Sequence, residues 1–108
     1  MNYTEAIAYL HSLTDYEKTR IERYTPETFG LARVKELVAD LGNPHDRFPS
    51  VHIAGTRGKG STAAMCEAGL RAAGYRTGFY ISPHLHTFRE RIQVDRQMIS
   101  REDVVALV

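Results

Sequence analysis

The run Ala54-Gly55-Thr56-Arg57-Gly58-Lys59-Gly60-Ser61-Thr62 constrains this chain more than any other, because it sets three glycines, a lysine and adjacent hydroxyls between two ordered-looking segments. Val51-His52-Ile53-Ala54 before it suits a strand covered on both faces. Ser61 to Ala73 after it is small and helix-favouring, with Met65, Leu70 and Ala73 able to face a sheet and Gly74 placed to stop the helix. Thr77-Gly78-Phe79-Tyr80-Ile81 is strand-like again. Strand, glycine loop, helix and strand within roughly thirty residues is a βαβ unit, with parallel strands and a right-handed crossover. The predicted fold class is therefore α/β: a P-loop-type parallel sheet with flanking helices.

The rest of the chain is arranged around that unit. Residues 1–48 read as a helical lead-in. Asn2 and Glu5 stand at capping-box spacing before Ile7, Leu10 and Leu13, which predicts a helix over 2–13. Residues 15–28 break into charged and aromatic positions and read as loop. Leu31, Val34, Leu37, Val38 and Leu41 form a second helical stripe, closed by Gly42. Residues 49–82 hold the strand, loop, helix and strand. Residues 83–108 hold a polar loop, then Arg91 to Val94 and Met98-Ile99 flanking Asp95-Arg96-Gln97 as a hairpin. Ser100-Arg101-Glu102-Asp103 finally starts a helix whose stripe, Val104, Val105, Leu107 and Val108, breaks off. Two parallel strands make too small a sheet to complete such a domain, so the reading is an amino-terminal piece of a longer protein.

Composition narrows the partners. Fourteen Lys and Arg against thirteen Asp and Glu leave a net charge of +1, which offers no broad cationic field for nucleic acid or an anionic membrane. No apolar run has spanning length, and the expected location is the cytoplasm. One cysteine, Cys66, forms no internal disulfide and reads as a small buried apolar side chain. His52 reads as a hydrogen-bonded core residue.

The loop has a chemistry of its own. Glycines let successive backbone N–H groups turn around an anion, the lysine adds charge for β- and γ-phosphates, and a hydroxyl can ligate Mg²⁺. The strict P-loop template departs at two places: its first glycine would fall on Ile53, and the hydroxyl expected directly after the lysine is Gly60, with Ser61 one place late. A dinucleotide site is disfavoured, since G-x-G-x-x-G is absent and Arg76-Thr77-Gly78 stands where a ribose-binding acid belongs.

Gly55-Thr56-Arg57-Gly58-Lys59-Gly60-Ser61, then Ala72-Ala73-Gly74-Tyr75, then Ser82-Pro83-His84-Leu85 with Phe88, Glu90, Arg91 and Ile92, closely resemble the folylpolyglutamate synthase and dihydrofolate synthase family of the Mur ligase superfamily. The shifted hydroxyl is that superfamily's own form of the phosphate loop. Thr28-Phe29-Gly30-Leu31-Ala32-Arg33 with Leu41-Gly42-Asn43-Pro44 is similar to the family's folate-side segment. Arg57 departs from the family's usual asparagine.

The resemblance implies a ligase joining L-glutamate to dihydropteroate or a reduced folate through an acyl phosphate, with ATP as substrate, Mg²⁺ as cofactor and a monomeric parent protein. It implies ATP contacts from Gly55, Thr56, Arg57, Gly58, Lys59, Gly60, Ser61 and Thr62, with Lys59 the catalytic cation on the β- and γ-phosphates. It implies metal ligation by Ser61 and Ser82, and folate contacts from Phe29, Gly30, Leu31, Arg33, Pro83, His84, Leu85, Phe88 and Arg91. His84-x-His86 is not read as a metal pair, since no third ligand lies nearby and Mg²⁺ prefers oxygen. The resemblance makes residues 1–108 the amino-terminal part of a single ATP-binding domain without its carboxy-terminal domain; the family's remaining metal ligands come from later strands of that domain and its glutamate-binding groups from the carboxy-terminal one, so this stretch alone is expected to turn nothing over. The competing readings are another Mur-type ligase and a non-catalytic nucleotide-binding module.

Overall fold

A computed structural model of the chain describes residues 1–13 and 30–108. Helices α1 (Tyr3–Ser12), α2 (Ala32–Asp40) and α3 (Lys59–Ala72) precede strands β1 (Gly78–Tyr80), β2 (Ile92–Val94) and β3 (Gln97–Met98), and α4 (Arg101–Leu107) follows. Single 3₁₀ turns lie at Pro44–Arg47 and Phe88–Arg91. Phe29 and the loop expected over 15–28 fall outside the described residues.

The helices begin and end as their sequences dictate. At α1 the Asn2 side chain accepts from the Glu5 amide at 2.9 Å, while the Glu5 carboxylate accepts from the Asn2 amide at 2.8 Å. The pair satisfies two donors that a helix end otherwise leaves orphaned. Ser100 caps α4 likewise, its hydroxyl accepting from the Asp103 amide at 3.0 Å. Both α2 and α3 stop on left-handed glycines, Gly42 at φ +81° and Gly74 at φ +95°. The next amide then reaches back five residues, Asn43 to the Val38 carbonyl at 2.7 Å and Tyr75 to the Leu70 carbonyl at 3.1 Å. α1 packs on α4, and Ala6 and Val104 are the buried residues of the two helices. Arg101 lays its guanidinium over the Tyr3 ring at 5.2 Å across the same contact.

The sheet differs from the sequence expectation. It runs β1-β2-β3 and is antiparallel throughout, with Phe79 opposite Gln93 and Val94 opposite Gln97. Val51–Ala54 joins no ladder, and Val51 and His52 are exposed. The parallel pairing of a βαβ unit is therefore not present among the described residues. A strand holds its place by ladder bonds to neighbours distant in sequence, which residue pattern alone does not supply. β1 is hydrogen-bonded on the β2 side only, so its other edge is the one such a strand would pair with. A hairpin forms, with Gln97 in β3 opposite Val94 rather than in the expected turn: Asp95 (φ 50°) and Arg96 (φ 64°) are both left-handed, the pattern of a tight two-residue turn matched to strand twist.

α3 meets β1 through a face other than the Met65, Leu70 and Ala73 face that the sequence predicts. Met65 and Leu70, expected against the sheet, are exposed, and so is Cys66, expected to be buried. The buried position is Glu67, at 4% exposure, with Ala63 and Ala64 half-buried one turn earlier. Its carboxylate accepts from Arg71 Nε at 2.7 Å and Thr77 Oγ1 at 3.1 Å, and Arg96 Nη1 approaches at 3.8 Å. Asp95 closes the knot by accepting from the Thr77 amide at 2.8 Å. Arg96 also stacks on Phe79, its guanidinium 4.8 Å from the ring centre, which offsets the cost of holding arginine at positive φ.

Burial works against ionising Glu67, yet the bonds from Arg71 and Thr77 and the charges of Arg71 and Arg96 outweigh it, leaving its pKa below the ordinary carboxylate value. A carboxyl lowered in the folded state contributes stability above its unfolded pKa and loses it as pH falls through the folded one. Glu67→Gln is therefore expected to lower the thermal midpoint at neutral pH and to converge on the parent in strong acid. Melting both proteins across pH checks this; equal midpoints at neutral pH would make the carboxylate dispensable.

Candidate functional site

Two pieces hold the candidate chemistry, the glycine loop entering α3 and the loop leaving β1. In the first, Gly55 sits at φ +149° and Gly58 at φ +71°, conformations that side-chain-bearing residues rarely adopt. Gly58 is the residue before the first helical turn, and no side chain caps that end. The first helical bond runs from the Thr62 amide to the Gly58 carbonyl at 3.0 Å. The amides preceding Thr62 therefore point off the helix end with no intrahelical carbonyl to receive them, where the helix dipole adds partial positive charge. A Cβ built on Gly55, Gly58 or Gly60 meets nothing within 4 Å, so open space faces these glycines.

Lys59 turns back over this opening, and its ammonium donates to the Gly55 carbonyl at 2.7 Å. That bond is exposed and closes the loop on itself. Thr56, Arg57, Gly60, Ser61 and Thr62 are exposed around it, and Ser82 is exposed two residues beyond the end of β1. Uncapped amides, one lysine and two hydroxyls suit an oxygen-rich anion and a hard cation bound with it. Among the described residues no three His, Cys, Asp or Glu side chains gather closely enough to hold a metal ion. The exposed hydroxyls of Ser61 and Ser82 are oxygen donors that this stretch could offer to such a cation.

In the second piece the structure brings together three of the residues predicted for a substrate loop. Arg91 Nε donates to His84 Nδ1 at 2.9 Å, and the guanidinium lies 5.3 Å from the Phe88 ring centre. His84 meets Phe88 edge-on, with ring centres 6.1 Å apart. Because Nδ1 accepts from arginine, the neutral His84 ring carries its proton on Nε2. Leu85 stands out at 86% exposure, and Pro83 is also exposed. Gly30, Leu31 and Arg33 lie exposed at the start of α2; among the described residues no hydrogen bond or ring contact joins them to this loop.

Two features escaped the sequence reading. An open cleft of about 290 Å³ separates α1 from the loop, lined by Tyr3, Ile7, His11, His84, His86 and Phe88 among others. Glu90, quoted only as part of a motif, accepts from the amides of Leu85 (3.0 Å), His86 (2.8 Å) and Thr87 (2.6 Å). Those three amides, Thr87 foremost, hold its carboxyl down at about 2. The signal was available: Thr87 and Glu90 stand at capping-box spacing.

Comparison with known proteins agrees with the sequence resemblance. No family profile matches the chain. A curated relative, the dihydrofolate synthase/folylpolyglutamate synthase of Bacillus subtilis (strain 168), is 48% identical over 79 residues, which are 73% of this chain and 18% of the relative. A crystal structure of the Thermotoga maritima folylpolyglutamate synthase matches with TM-score 0.76 at 45% identity, over 97% of this chain and 22% of that one. A folylpolyglutamate synthase solved with AMPPCP and folate matches with TM-score 0.82 at 37% identity, over 98% of this chain and 24% of that one. The chain thus spans about a fifth of the length of the proteins it matches, and over that span it shares their α/β fold.

Proposed function

Since the chain belongs to the folylpolyglutamate synthase/dihydrofolate synthase family, we propose that it is the phosphate-binding part of an ATP-dependent ligase that joins L-glutamate to dihydropteroate or a reduced folate. The observation that carries this reading is the start of α3, where uncapped amides, Lys59 and the exposed Ser61 and Thr62 stand beside glycines that have open space before them. A relative solved with AMPPCP and folate supports the choice of ligands.

A carboxylate is a poor electrophile and ATP a crowded anion, so the protein's task is to hold the two in line and neutralise the migrating phosphoryl group. The loop amides from Gly58 to Thr62 cradle the phosphate chain. Lys59 exchanges the Gly55 carbonyl for the β- and γ-phosphate oxygens, trading a neutral acceptor for a charged one. Mg²⁺, held by Ser61 and Ser82, supplies further charge neutralisation when bound. The carboxylate of the pteroyl substrate attacks the γ-phosphorus of ATP, breaking its bond to the bridging oxygen and releasing ADP; the glutamate amine then attacks the acyl carbon of the resulting acyl phosphate, forming the amide and releasing inorganic phosphate and a proton. His84, Phe88 and Arg91 offer an imidazole, a ring face and a cation to the pteroyl substrate. The same reading makes the ligase a cytoplasmic monomer. Its near-neutral charge supports small-molecule partners over nucleic acid or membrane, and no helix among the described residues is long and apolar enough to cross a membrane.

Calorimetric titration of the complete ligase polypeptide carrying this chain tests the assignment. Binding of ATP that strengthens with Mg²⁺ is expected, since one lysine and a metal-ligating hydroxyl suit a triphosphate better than a ribose-flanked pyrophosphate. Tighter binding of NAD, or ATP binding indifferent to Mg²⁺, would remove it.

A further inference from the structure

We propose that Glu90 is the positioning residue of the 83–91 loop, its carboxylate folding the backbone from Leu85 to Thr87 around itself and thereby setting His84, Phe88 and Arg91 in the arrangement that meets the pteroyl substrate. The inference rests on the ligase reading for what the loop meets, and on geometry alone for how the loop is held.

That geometry is a bridge from a fixed element to the loop backbone, whose other described polar ties are side-chain contacts, Arg91 to His84 and Tyr3 to Thr87. The backbone around Glu90 is tied to the β-ribbon: its carbonyl accepts from Gln93 Nε2 at 2.8 Å, the next carbonyl, of Arg91, accepts from the Ile81 amide at 3.2 Å, and Arg89 Nε donates to the Ile99 carbonyl at 2.6 Å. From this anchored position the side chain reaches back over the loop and takes the three consecutive amides with its two oxygens. The Glu90 amide returns a bond to the Thr87 carbonyl at 3.0 Å. Within the clamped segment the apolar side chain, Leu85, points into solvent and does not anchor the backbone.

His84 precedes the first clamped amide and Phe88 follows the last, so the clamp spans the segment between the two rings that meet. Arg91, the residue after Glu90, completes the cluster on His84. The carboxylate is not offered here as an acid or base. Both oxygens are occupied by backbone donors, and a group ionised down to about pH 2 has no proton to give near neutrality.

Glu90→Gln is the test, because it keeps the size of the side chain but turns an amide NH₂ toward backbone donors, so at least one of the three bonds is lost. In the complete ligase polypeptide the Michaelis constant for the pteroyl substrate should rise roughly tenfold or more, with that for ATP unchanged within about twofold. Hydrogen exchange at the Leu85, His86 and Thr87 amides should quicken by a similar factor while α3 keeps its protection. Unchanged constants for both substrates overturn the proposal. So does a parallel rise in both with a lowered thermal midpoint, which would make Glu90 a general structural residue. If Glu90→Gln does not fold, Glu90→Asp, which keeps the charge but shortens the reach, is read by the same criteria. A parent that neither binds ATP nor ligates glutamate defeats the ligase reading instead; the three amides then decide the clamp alone, equal exchange in parent and variant ending it.

Discussion

Lys59→Ala is expected to abolish most turnover while leaving the fold in place. The ammonium makes one described bond, to the exposed Gly55 carbonyl, and that carbonyl can bond water once the side chain is gone. Stability without ligand should therefore move by no more than about 0.5 kcal/mol, the range of surface changes. Catalysis is another matter. Under the ligase reading the lysine places its charge on the migrating phosphoryl group, and losing a preorganised electrostatic partner costs roughly 100-fold or more in turnover. Single-turnover kinetics and thermal denaturation on one preparation of the complete ligase read both quantities. An unfolded variant would make the lysine structural, and a folded one ligating glutamate at near parental rates would end the phosphate-loop reading.

The elements whose signals are local were legible in the sequence. Asn2 with Glu5, Ser100 with Asp103, and the glycines at 42 and 74 each act within a turn of where they stand, and each marks a real helix end. The α3 helix starts at Lys59 rather than at the expected Ser61, because Gly58 takes the left-handed turn that lets the chain enter a helix without a capping side chain. What depends on distant partners was not legible. Val51–Ala54 has the composition of a covered strand, but composition does not say what it pairs with. Glu67 carries no local signal in the sequence, since Thr77 and Arg96 reach it from beyond the helix. The α2 stripe formed its helix, yet Leu31, Val34, Leu37 and Leu41 are exposed, since periodicity fixes which face is apolar and not what covers it. At the site, the loop residues and the His84, Phe88 and Arg91 group were named one at a time. Their mutual geometry depends on Glu90, whose capping-box spacing was visible but had no helix to attach it to.

Gly60→Ala separates function from fold by giving them opposite signs. Gly60 is the second residue of α3, its φ is not positive, and a Cβ there meets nothing within 4 Å. Fold chemistry alone favours alanine, which loses less backbone entropy on entering a helix and should stabilise the ligand-free protein by about 0.5–1 kcal/mol. Under the ligase reading the same open space belongs to phosphate oxygens drawn up against the bare backbone, and a methyl group placed there pushes them off the amides. Affinity for Mg-ATP should then fall by roughly tenfold or more, about 1.4 kcal/mol, against a rising melting temperature. Melting the two proteins without ligand and titrating both with Mg-ATP gives the comparison. A variant that is more stable and binds ATP as well as its parent would show that glycine at this position serves no ligand, and that the opening at the start of α3 is not where the triphosphate lies.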